Sequence, residues 1–426
     1  MTQSREADTA SPSMLRACSG CGLLHTVPHS AQRETAYCGR CLTALHRVTG
    51  HPLDHGLALT IAALVLLIVM CTTTLMTVQT AGMIHSADLL SGPAELVRRG
   101  MSPLALVVIF VTLVAPFIKL GGTLYVLIRL RLPSPPAYLR QVFAVAERLR
   151  PWTMIEVFVF GVFVAYAKLG DLVHITLDVG VYALLALTVV SVWADSALDR
   201  ELIWQQLDPD GPRPDRSMMA DGADVIGCGT CGEVSLAPYD QVHHCPRCGS
   251  RLHARKTDSI SRTWALVVAA AVMYVPANYF PVLTVMQLGA GSPSTIIGGV
   301  EELVAARLYP LAALVFFASI AVPMLKLIGL SVMLITTQTG RSEWLRDRTR
   351  LYHVVRWIGR WSMIDIFMEA LLGALVKFGS VVTIEPGIGA LAFCAVVILT
   401  MFAAESFDPR LMWDASTRRS AALQGA

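Results

Sequence analysis

Long runs of uncharged residues limit what this chain can fold into. The two clearest runs, 57–78 and 264–286, contain no charged side chain, and each is long enough to cross a bilayer, which takes about 20 residues. Only 15% of all residues are charged, whereas soluble proteins carry about 25%. A conventional wetted surface cannot be built from this composition, so the sequence predicts an all-α polytopic membrane protein.

Eight runs are predicted to span the membrane. They cover 57–78, 103–128, 153–174, 179–196, 264–286, 308–335, 362–380 and 386–405. The third and fourth runs form a tight helical hairpin that turns at Gly170 and Asp171. The seventh and eighth form a second hairpin that turns around Glu385.

The arginines indicate how the chain is oriented, because short loops that are rich in Lys and Arg stay in the cytoplasm. The connection between the second and third runs and the one between the sixth and seventh hold most of them: Arg129, Arg131, Arg140, Arg148, Arg150, Arg341, Arg346, Arg348, Arg350, Arg356 and Arg360. The connections 79–102 and 287–307 hold few. We therefore expect both termini and the central segment 197–262 to be cytoplasmic. The net charge of +3 does not indicate nucleic-acid binding, since the arginines lie in short connections.

An internal repeat divides the chain into two halves. The matching pairs are Cys38 and Cys245, Pro116 and Pro323, Lys119 and Lys326, and, after a shift of two residues, Trp152 and Trp361, and Glu156 and Asp365. We assign 14–50 and 222–256 to two small ribbon domains, and 51–200 and 257–410 to two four-helix bundles. An even number of spans per half makes the repeats parallel, around an axis along the membrane normal. This arrangement suits a path between two bundles, and it equally suits a duplication kept for stability.

Eight of the ten cysteines form paired Cys-x-x-Cys motifs. The first set is Cys18, Cys21, Cys38 and Cys41, and the second is Cys228, Cys231, Cys245 and Cys248. Two such turns supply the closed tetrahedral S4 shell of a structural Zn²⁺ site. The sequence therefore predicts two zinc ribbons with a structural, non-catalytic role, and iron is the remaining alternative.

Disulfide bonding and redox chemistry account less well for these cysteines. Disulfides form in oxidising compartments, whereas the arginine pattern places both ribbons in the cytosol. A thioredoxin-like motif would come singly within a βαβ unit. No basic, aromatic face accompanies the ribbons, so we expect no nucleic-acid partner. Four nearby histidines exceed the ligand sets and are predicted to lie on the surface: His25, His29, His243 and His244.

Ionisable residues inside the predicted spans are costly and are therefore functional candidates. Lys326 lies about nine residues from the arginine-rich end of its span, roughly 13 Å deep. Asp365 lies about one turn into the seventh span, and Glu369 follows one turn deeper on the same face. An ion pair of Lys326 with Glu369, or with Asp365, is geometrically allowed. The first half offers Lys119 and Glu156 at equivalent places, so we expect the second bundle to be the more polar one.

Simple anchoring or pairing would account for several of these polar residues. Lys119 either extends its ammonium group to the interface or forms a structural pair. Lys168 and Asp171 lie near outer helix ends, where interfacial anchoring suffices.

Prolines are expected to distort three of the spans. Pro116 and Pro323 each free a carbonyl group and permit a kink. Pro276 and Pro281 are expected to break the fifth span more severely.

Taken together, the duplicated ribbons, the Pro-x-x-Lys motifs and the Trp-Thr/Ser-Met-Ile-Glu/Asp motifs resemble the paraquat-inducible protein A family (PqiA and LetA). The resemblance covers roughly 15–410. It implies a bacterial inner-membrane protein that works beside MCE-domain proteins, whose hexameric rings form a tunnel across the periplasm. It also implies movement of phospholipid or other lipophilic molecules between the inner membrane and that tunnel, which maintains the outer membrane.

The resemblance also implies which residues handle lipid. Matching motif positions assigns a polar network to Lys326, Asp365, Ser319 and Thr400, together with Lys168 and Asp171. The sequence contains no Walker motif, so we expect no ATP hydrolysis and no enzyme activity. Two alternatives remain open: a scaffold that anchors the tunnel without transporting, and a proton- or ion-coupled transporter of small amphiphiles.

Overall fold

The computed structural model describes residues 13–28, 35–47, 53–80, 83–132, 136–169, 174–209, 225–236, 244–287, 290–375 and 382–424. The first half contains β1 (Ser13–Ala17), β2 (Leu24–Pro28), β3 (Thr35–Tyr37), β4 (Ala44–Arg47), α1 (Leu53–Thr72), β5 (Met76–Thr80), β6 (Met83–Ala87), α2 (Ser91–Arg98), α3 (Ser102–Ile109), α4 (Ala115–Arg129), α5 (Leu139–Leu149), α6 (Ile155–Leu169), β7 (His174–Leu177), α7 (Val179–Ala197) and α8 (Arg200–Leu207). The second half contains β8 (Val225–Gly227), β9 (Val234–Leu236), α9 (Ser259–Tyr279), β10 (Leu283–Gln287), β11 (Ala290–Ser294), α10 (Ile296–Ala305), α11 (Tyr309–Phe316), α12 (Val322–Gln338), α13 (Leu345–Ile358), α14 (Ile364–Leu375), β12 (Val382–Pro386), α15 (Ile388–Ser406) and α16 (Arg410–Gln424).

Within the described residues, seven helical stretches are long and apolar enough to cross a membrane. They correspond to seven of the eight predicted spans. The remaining span, predicted over 362–380, contains α14 with 12 residues, and the positions that follow it lie outside the described residues. The predicted architecture, with two repeats of a ribbon followed by a helical bundle, is confirmed.

Each half contains one long helix with a π-helical turn in its middle. The turn covers Phe110–Val114 between α3 and α4, and Phe317–Ala321 between α11 and α12. Pro116 and Pro323 occupy the first turn of the next helix. Proline has no N–H to donate and its ring crowds the preceding turn. The wider π turn accommodates that defect without ending the helix.

The first and fifth spans end earlier than the sequence predicts. Extension of these helices to positions 78 and 286 is wrong, because β5 and β10 follow α1 and α9. The break expected over the segment from Pro276 to Pro281 occurs only at its end, since α9 continues through Pro276 and ends at Tyr279, two residues before Pro281. The last turn of α9 remains closed by a bond from the Phe280 N–H to the Pro276 carbonyl at 3.0 Å.

A small antiparallel sheet lies at the end of each bundle away from the ribbons, which we call the sheet side. The strand orders are β6-β5-β7 and β11-β10-β12. Gly180 and Gly389 let α7 and α15 begin directly against the chain that enters these sheets. A Cβ on Gly180 would lie 2.5 Å from the Thr74 carbonyl oxygen, and one on Gly389 would lie 2.5 Å from that of Phe280. Glycine is therefore required at both positions.

The two bundles meet through α6 and α14. The ring of Phe158 packs edge-on against Phe367, with ring centroids 5.4 Å apart. A Cβ on Gly161 would lie 2.7 Å from the Cβ of Phe367, so the absent side chain permits this close approach. Since both helices are the third span of their half, the internal axis passes between them.

Each ribbon packs on the bundle of the other half. The first ribbon (13–47) contacts the second bundle, where Arg40 stacks 4.3 Å from the ring centroid of Trp413 and Thr43 lies 3.3 Å from Nε2 of His353. The second ribbon (225–252) contacts the first bundle, where Arg247 reaches Glu201 at 3.1 Å. We call the end of the molecule that carries both ribbons the ribbon side. At this end each ribbon packs on the bundle that does not follow it in the sequence, an arrangement that we call the ribbon exchange.

A buried charge cluster joins the two ribbons. Glu201 on α8 forms ion pairs with Arg16 of the first ribbon and Arg247 of the second. Arg16 also donates to the Cys231 carbonyl at 3.2 Å, and Arg247 pairs with Glu233 at 2.8 Å. Glu201, together with Glu233, therefore compensates two guanidinium groups that are largely removed from water.

The exchange can be tested by placing a photoreactive benzoylphenylalanine at Arg40. Because Arg40 stacks on Trp413, irradiation should cross-link the first ribbon to peptides of α16, which mass spectrometry would identify. The same group at Arg131, an exposed residue of the first half, is the control and should leave α16 unlabelled. Cross-links from Arg40 to 53–208 instead would show that the ribbon packs on its own bundle.

The charge cluster predicts a strong effect of Glu201→Gln. Removing one partner of a buried ion pair costs about 3–5 kcal/mol, so the unfolding midpoint of the detergent-solubilised protein should fall clearly. Glu302→Gln, at an exposed position of α10, is the matched control and should leave the midpoint unchanged. Equal midpoints for both variants would contradict the role of the cluster.

Candidate functional site

All four Cys-x-x-Cys turns share one backbone geometry. In the first turn the Cys18 N–H donates to the Leu23 carbonyl at 2.9 Å, and the Gly22 N–H donates to the Cys18 carbonyl at 2.8 Å. The same two bonds recur in the turns that begin at Cys38, Cys228 and Cys245. The turn requires a positive φ at its end, which Gly22 supplies at 78° and Leu42 adopts at 62°.

The turns bring their sulfurs together in two sets of four. In each set the sulfur atoms all lie within 4.8 Å of one another, and every cysteine is buried. The sulfurs of Cys18 and Cys41 lie 3.4 Å apart, and those of Cys228 and Cys248 lie 3.5 Å apart. Four sulfurs at the Zn–S distance of 2.3 Å around one ion would lie about 3.8 Å apart. Each predicted ligand set is therefore assembled, and each can hold one metal ion.

Polar groups surround the first cluster as well. The Gly20 N–H lies 3.4 Å from Sγ of Cys18, and the Thr43 hydroxyl lies 3.2 Å from Sγ of Cys41. Nε2 of His25 lies 3.2 Å from Sγ of Cys38. The prediction that His25 is a surface histidine is therefore wrong, since it is half-buried against a ligand sulfur. His244 is exposed as predicted, and His29 and His243 lie outside the described residues.

The second bundle contains two buried polar pairs. The Ser319 hydroxyl, on the π turn, is hydrogen-bonded to Oδ2 of Asp365 on α14. The Lys326 ammonium donates to the Thr400 hydroxyl at 2.9 Å and approaches the Gly359 carbonyl at 3.5 Å. Lys326 is only 1% exposed. These pairs bring together four of the residues predicted for the polar network.

A small cavity adjoins the Ser319–Asp365 pair. Its volume is about 40 Å³, which is enough for one or a few water molecules. Leu283, the first residue of the central strand β10, and Thr295, directly after β11, line the same cavity. The pair therefore faces a small, mostly apolar space that lies toward the sheet side.

The equivalent positions of the first bundle make different contacts. The Thr112 hydroxyl, which matches Ser319, donates to the Val108 carbonyl of its own helix at 2.7 Å. Lys119 forms an ion pair with Asp195 at 2.7 Å. Glu156 lies 3.5 Å from Arg360 of the other half. The Lys119 contact is the structural pair that the sequence left open, and the first bundle does not repeat the polar centre of the second.

Asp195 is a functional candidate that the sequence pattern did not reveal. It lies near the end of the predicted span 179–196, where a charge is expected at a boundary. The one sequence feature that could have indicated Asp195 is Lys119, because the ammonium group of Lys119 needs a carboxylate partner within the same bundle.

Three predicted network residues lie outside what can be described. The described part of the chain does not include the side chains of Lys168 and Glu369 or any atom of Asp171. The pair of Lys326 with Glu369 stays a prediction.

Comparisons with known proteins agree with this architecture. Residues 53–208 and 260–417 match the family model of Paraquat-inducible protein A. Intermembrane transport protein PqiA of Escherichia coli (strain K12) is 34% identical over 93% of this chain and 95% of its own length. Lipophilic envelope-spanning tunnel protein A of the same strain is 30% identical over 93% of this chain and 91% of its own length. A probable intermembrane transport protein of Haemophilus influenzae is 26% identical over 95% of this chain and 97% of its own length.

No solved structure matches the chain. The two matched regions begin at α1 and α9 and each cover one bundle, so the family match repeats at the internal duplication. With two such regions, and with relatives that match along nearly their whole length, the chain belongs to the paraquat-inducible protein A family.

Proposed function

We propose that this chain is the inner-membrane component of a lipid-transport system. It exchanges phospholipid or other lipophilic molecules between the inner membrane and a tunnel of MCE-domain proteins in the periplasm. The names of two relatives, an intermembrane transport protein and an envelope-spanning tunnel protein, support transport across the envelope.

The observation that carries the proposal is the polar centre of the second bundle. Burying Lys326 and Asp365 in a membrane bundle is costly, and the first bundle shows that a stable helix pairing does not require the Ser319–Asp365 contact. The small cavity beside this contact lies toward the sheet side. A buried polar pair in the wall of an otherwise apolar space suits contact with an amphiphilic molecule such as a lipid.

The orientation follows from the arginines. With the arginine-bearing helices α5 and α13 in the cytoplasm, both termini and both ribbons are cytoplasmic and the two sheets face the periplasm. An MCE ring would then dock on the sheet side, next to the second bundle.

The metal in each ribbon is proposed to be Zn²⁺. An S4 set of buried cysteines on matched turns is the usual ligand set of a structural zinc ion. Both sets are complete, so neither leaves an open position for catalysis. When bound, the ions would fix the ribbons and, through the exchange, the ribbon-side ends of both bundles.

The zinc proposal predicts about two zinc ions per chain by metal analysis. Cys38→Ser and Cys245→Ser should each lower the zinc content to about one ion and reduce the stability of the protein, because structural zinc contributes directly to folding. Cys71→Ser, in α1 and outside both clusters, is the control and should retain both ions. Intact thiols without metal would overturn the proposal, and iron in place of zinc would overturn the choice of metal.

The transport proposal predicts that Ser319→Ala, Asp365→Asn and Lys326→Met each abolish rescue of a strain with an envelope defect. Each variant removes a polar group of the second bundle while leaving the ribbons intact. Thr112→Val, at the position matching Ser319 in the first bundle, is the control and should rescue normally. Protein levels are compared by immunoblot.

Two outcomes would favour the alternatives. Rescue by all three variants, with loss of rescue in Cys38→Ser, would indicate a scaffold. An MCE protein should co-purify with the tagged chain, and a purified chain that transports amphiphiles alone would indicate an independent ion-coupled transporter.

A further inference from the structure

A larger cavity lies between the two bundles on the ribbon side. Its volume is about 380 Å³, within the range of about 300–1,000 Å³ that is typical of small-molecule pockets. Both halves line it, through α4 and α7 of the first bundle and α12, α13 and α15 of the second. It is separate from the small sheet-side cavity at Asp365.

The internal duplication places equivalent residues around this cavity. Lys119 and Lys326, which match in the repeat, both line it, as do Ser191 and Thr400. Since each bundle contributes the same positions, the cavity lies close to the axis that relates the two halves. In parallel-repeat transporters the interface between repeats is where substrates bind.

The lining carries more positive than negative charge. Its charged residues are Lys119, Arg150, Lys326, Arg356 and Arg360 against Glu156, Asp195 and Glu405. Each carboxylate has a cation partner: Lys119 for Asp195 at 2.7 Å, Arg356 for Glu405 at 2.8 Å and Arg360 for Glu156 at 3.5 Å. Among the described residues that line the cavity, basic side chains therefore outnumber acidic ones by five to three.

Two of the cations account for this excess. Arg150 lies 3.7 Å from Asp195, a carboxylate that Lys119 already holds more closely. In the described part of the chain, Lys326 contacts only the neutral groups of Thr400 and Gly359. His353 also lines the cavity, and burial, together with the charge of Arg356, lowers the pKa of its imidazole. Burial therefore favours the neutral form of this imidazole.

The cavity has an apolar rim at the level of the membrane interface. Val192 is 58% exposed and Trp357 is 55% exposed, and both line it. Asp195 and Glu405 lie in the last turns of α7 and α15, where the spans leave the hydrocarbon. Tryptophan is enriched at this level of a bilayer. A cationic interior beside an exposed apolar rim suits an amphiphile that carries an anionic group.

We propose that this cavity binds the phosphate group of a glycerophospholipid from the ribbon-side leaflet, with its acyl chains leaving past Val192 and Trp357. This inference rests on the proposed lipid-transport function and assigns it a loading site. Arg150 and Arg360, the partly exposed arginines that the test removes, supply the charges that hold the phosphate, since guanidinium groups form strong charge-assisted bonds to phosphate oxygens. Lys326, which is only 1% exposed, adds its charge from deeper in the cavity wall. The paired carboxylates keep the remaining cations in position.

The experiment measures binding to the purified full-length chain in detergent by microscale thermophoresis. Three probes are used: dihexanoylphosphatidylglycerol, the phosphate-free dihexanoylglycerol, and glycerol 3-phosphate. The variants are Arg150→Gln and Arg360→Gln, alone and combined, because both side chains are partly exposed and the fold should tolerate them. Arg131→Gln, an exposed arginine that pairs with Asp54 outside the cavity, is the matched control.

The phospholipid should bind at least about ten-fold more tightly than either other probe, and the double variant should lose at least about ten-fold in affinity, as expected for the loss of charge-assisted bonds. The Arg131→Gln variant should bind as the unaltered chain does. Equal binding of dihexanoylglycerol would overturn phosphate recognition, and equal binding of glycerol 3-phosphate would show a site for free phosphate esters. Unchanged binding in the double variant, or no binding of any probe, would overturn the site.

These failures are distinguishable from failure of the transport proposal. In one case the unaltered chain rescues the envelope-defect strain, Asp365→Asn does not, and the loading site fails its binding test. The transport proposal then stands, and only the loading site is overturned. If Ser319→Ala, Asp365→Asn and Lys326→Met all rescue while the arginine variants lose phospholipid binding, the site stands without the proposed transport path.

Discussion

A charge inside a membrane bundle has to be compensated by its neighbours, because the hydrocarbon offers no water to do so. Each half of this protein carries a lysine at the same place, three residues after a proline that follows a π-helical turn. Lys119 is compensated by an ion pair with Asp195. Lys326 is almost fully buried and bonds to the neutral Thr400 hydroxyl and Gly359 carbonyl. Together with the Ser319–Asp365 contact of the second bundle, this difference makes the described parts of the two duplicated bundles chemically unequal.

The exchanged ribbons keep these unequal bundles together. Each ribbon stabilises the bundle that does not follow it in sequence, and Glu201 joins the two ribbons through Arg16 and Arg247. Contacts between the halves therefore exist at two levels, at the ribbons and between α6 and α14. The cavity lined by Lys119 and Lys326 lies between these levels, which explains how a polar space of this size persists inside a two-bundle protein.

Much of this arrangement could be predicted from the sequence, since uncharged runs, cysteine spacing and the internal repeat each act locally. The strands β5 and β10 could not, because Met76–Thr80 and Leu283–Gln287 continue the apolar runs without a charge or a glycine. Asp195 gave no clear signal, because a carboxylate at the end of a span looks like an ordinary boundary. The ribbon exchange could not be predicted either, because two homologous bundles offer similar surfaces and only the folded geometry chooses between them.

The two cavities can be related through one continuous helix. Ser319, on the π turn, lines the small sheet-side cavity, and Lys326, on α12, lines the larger ribbon-side cavity. Seven residues separate them, about 10 Å along a helix axis. The polar pairs Ser319–Asp365 and Lys326–Thr400 thus stand at successive depths of the second bundle. The sheet-side cavity, at about 40 Å³, is too small for a lipid headgroup, so the proposed transport past the Ser319–Asp365 pair would require α14 to move away from the π turn, a kind of turn that is frequent at functional sites.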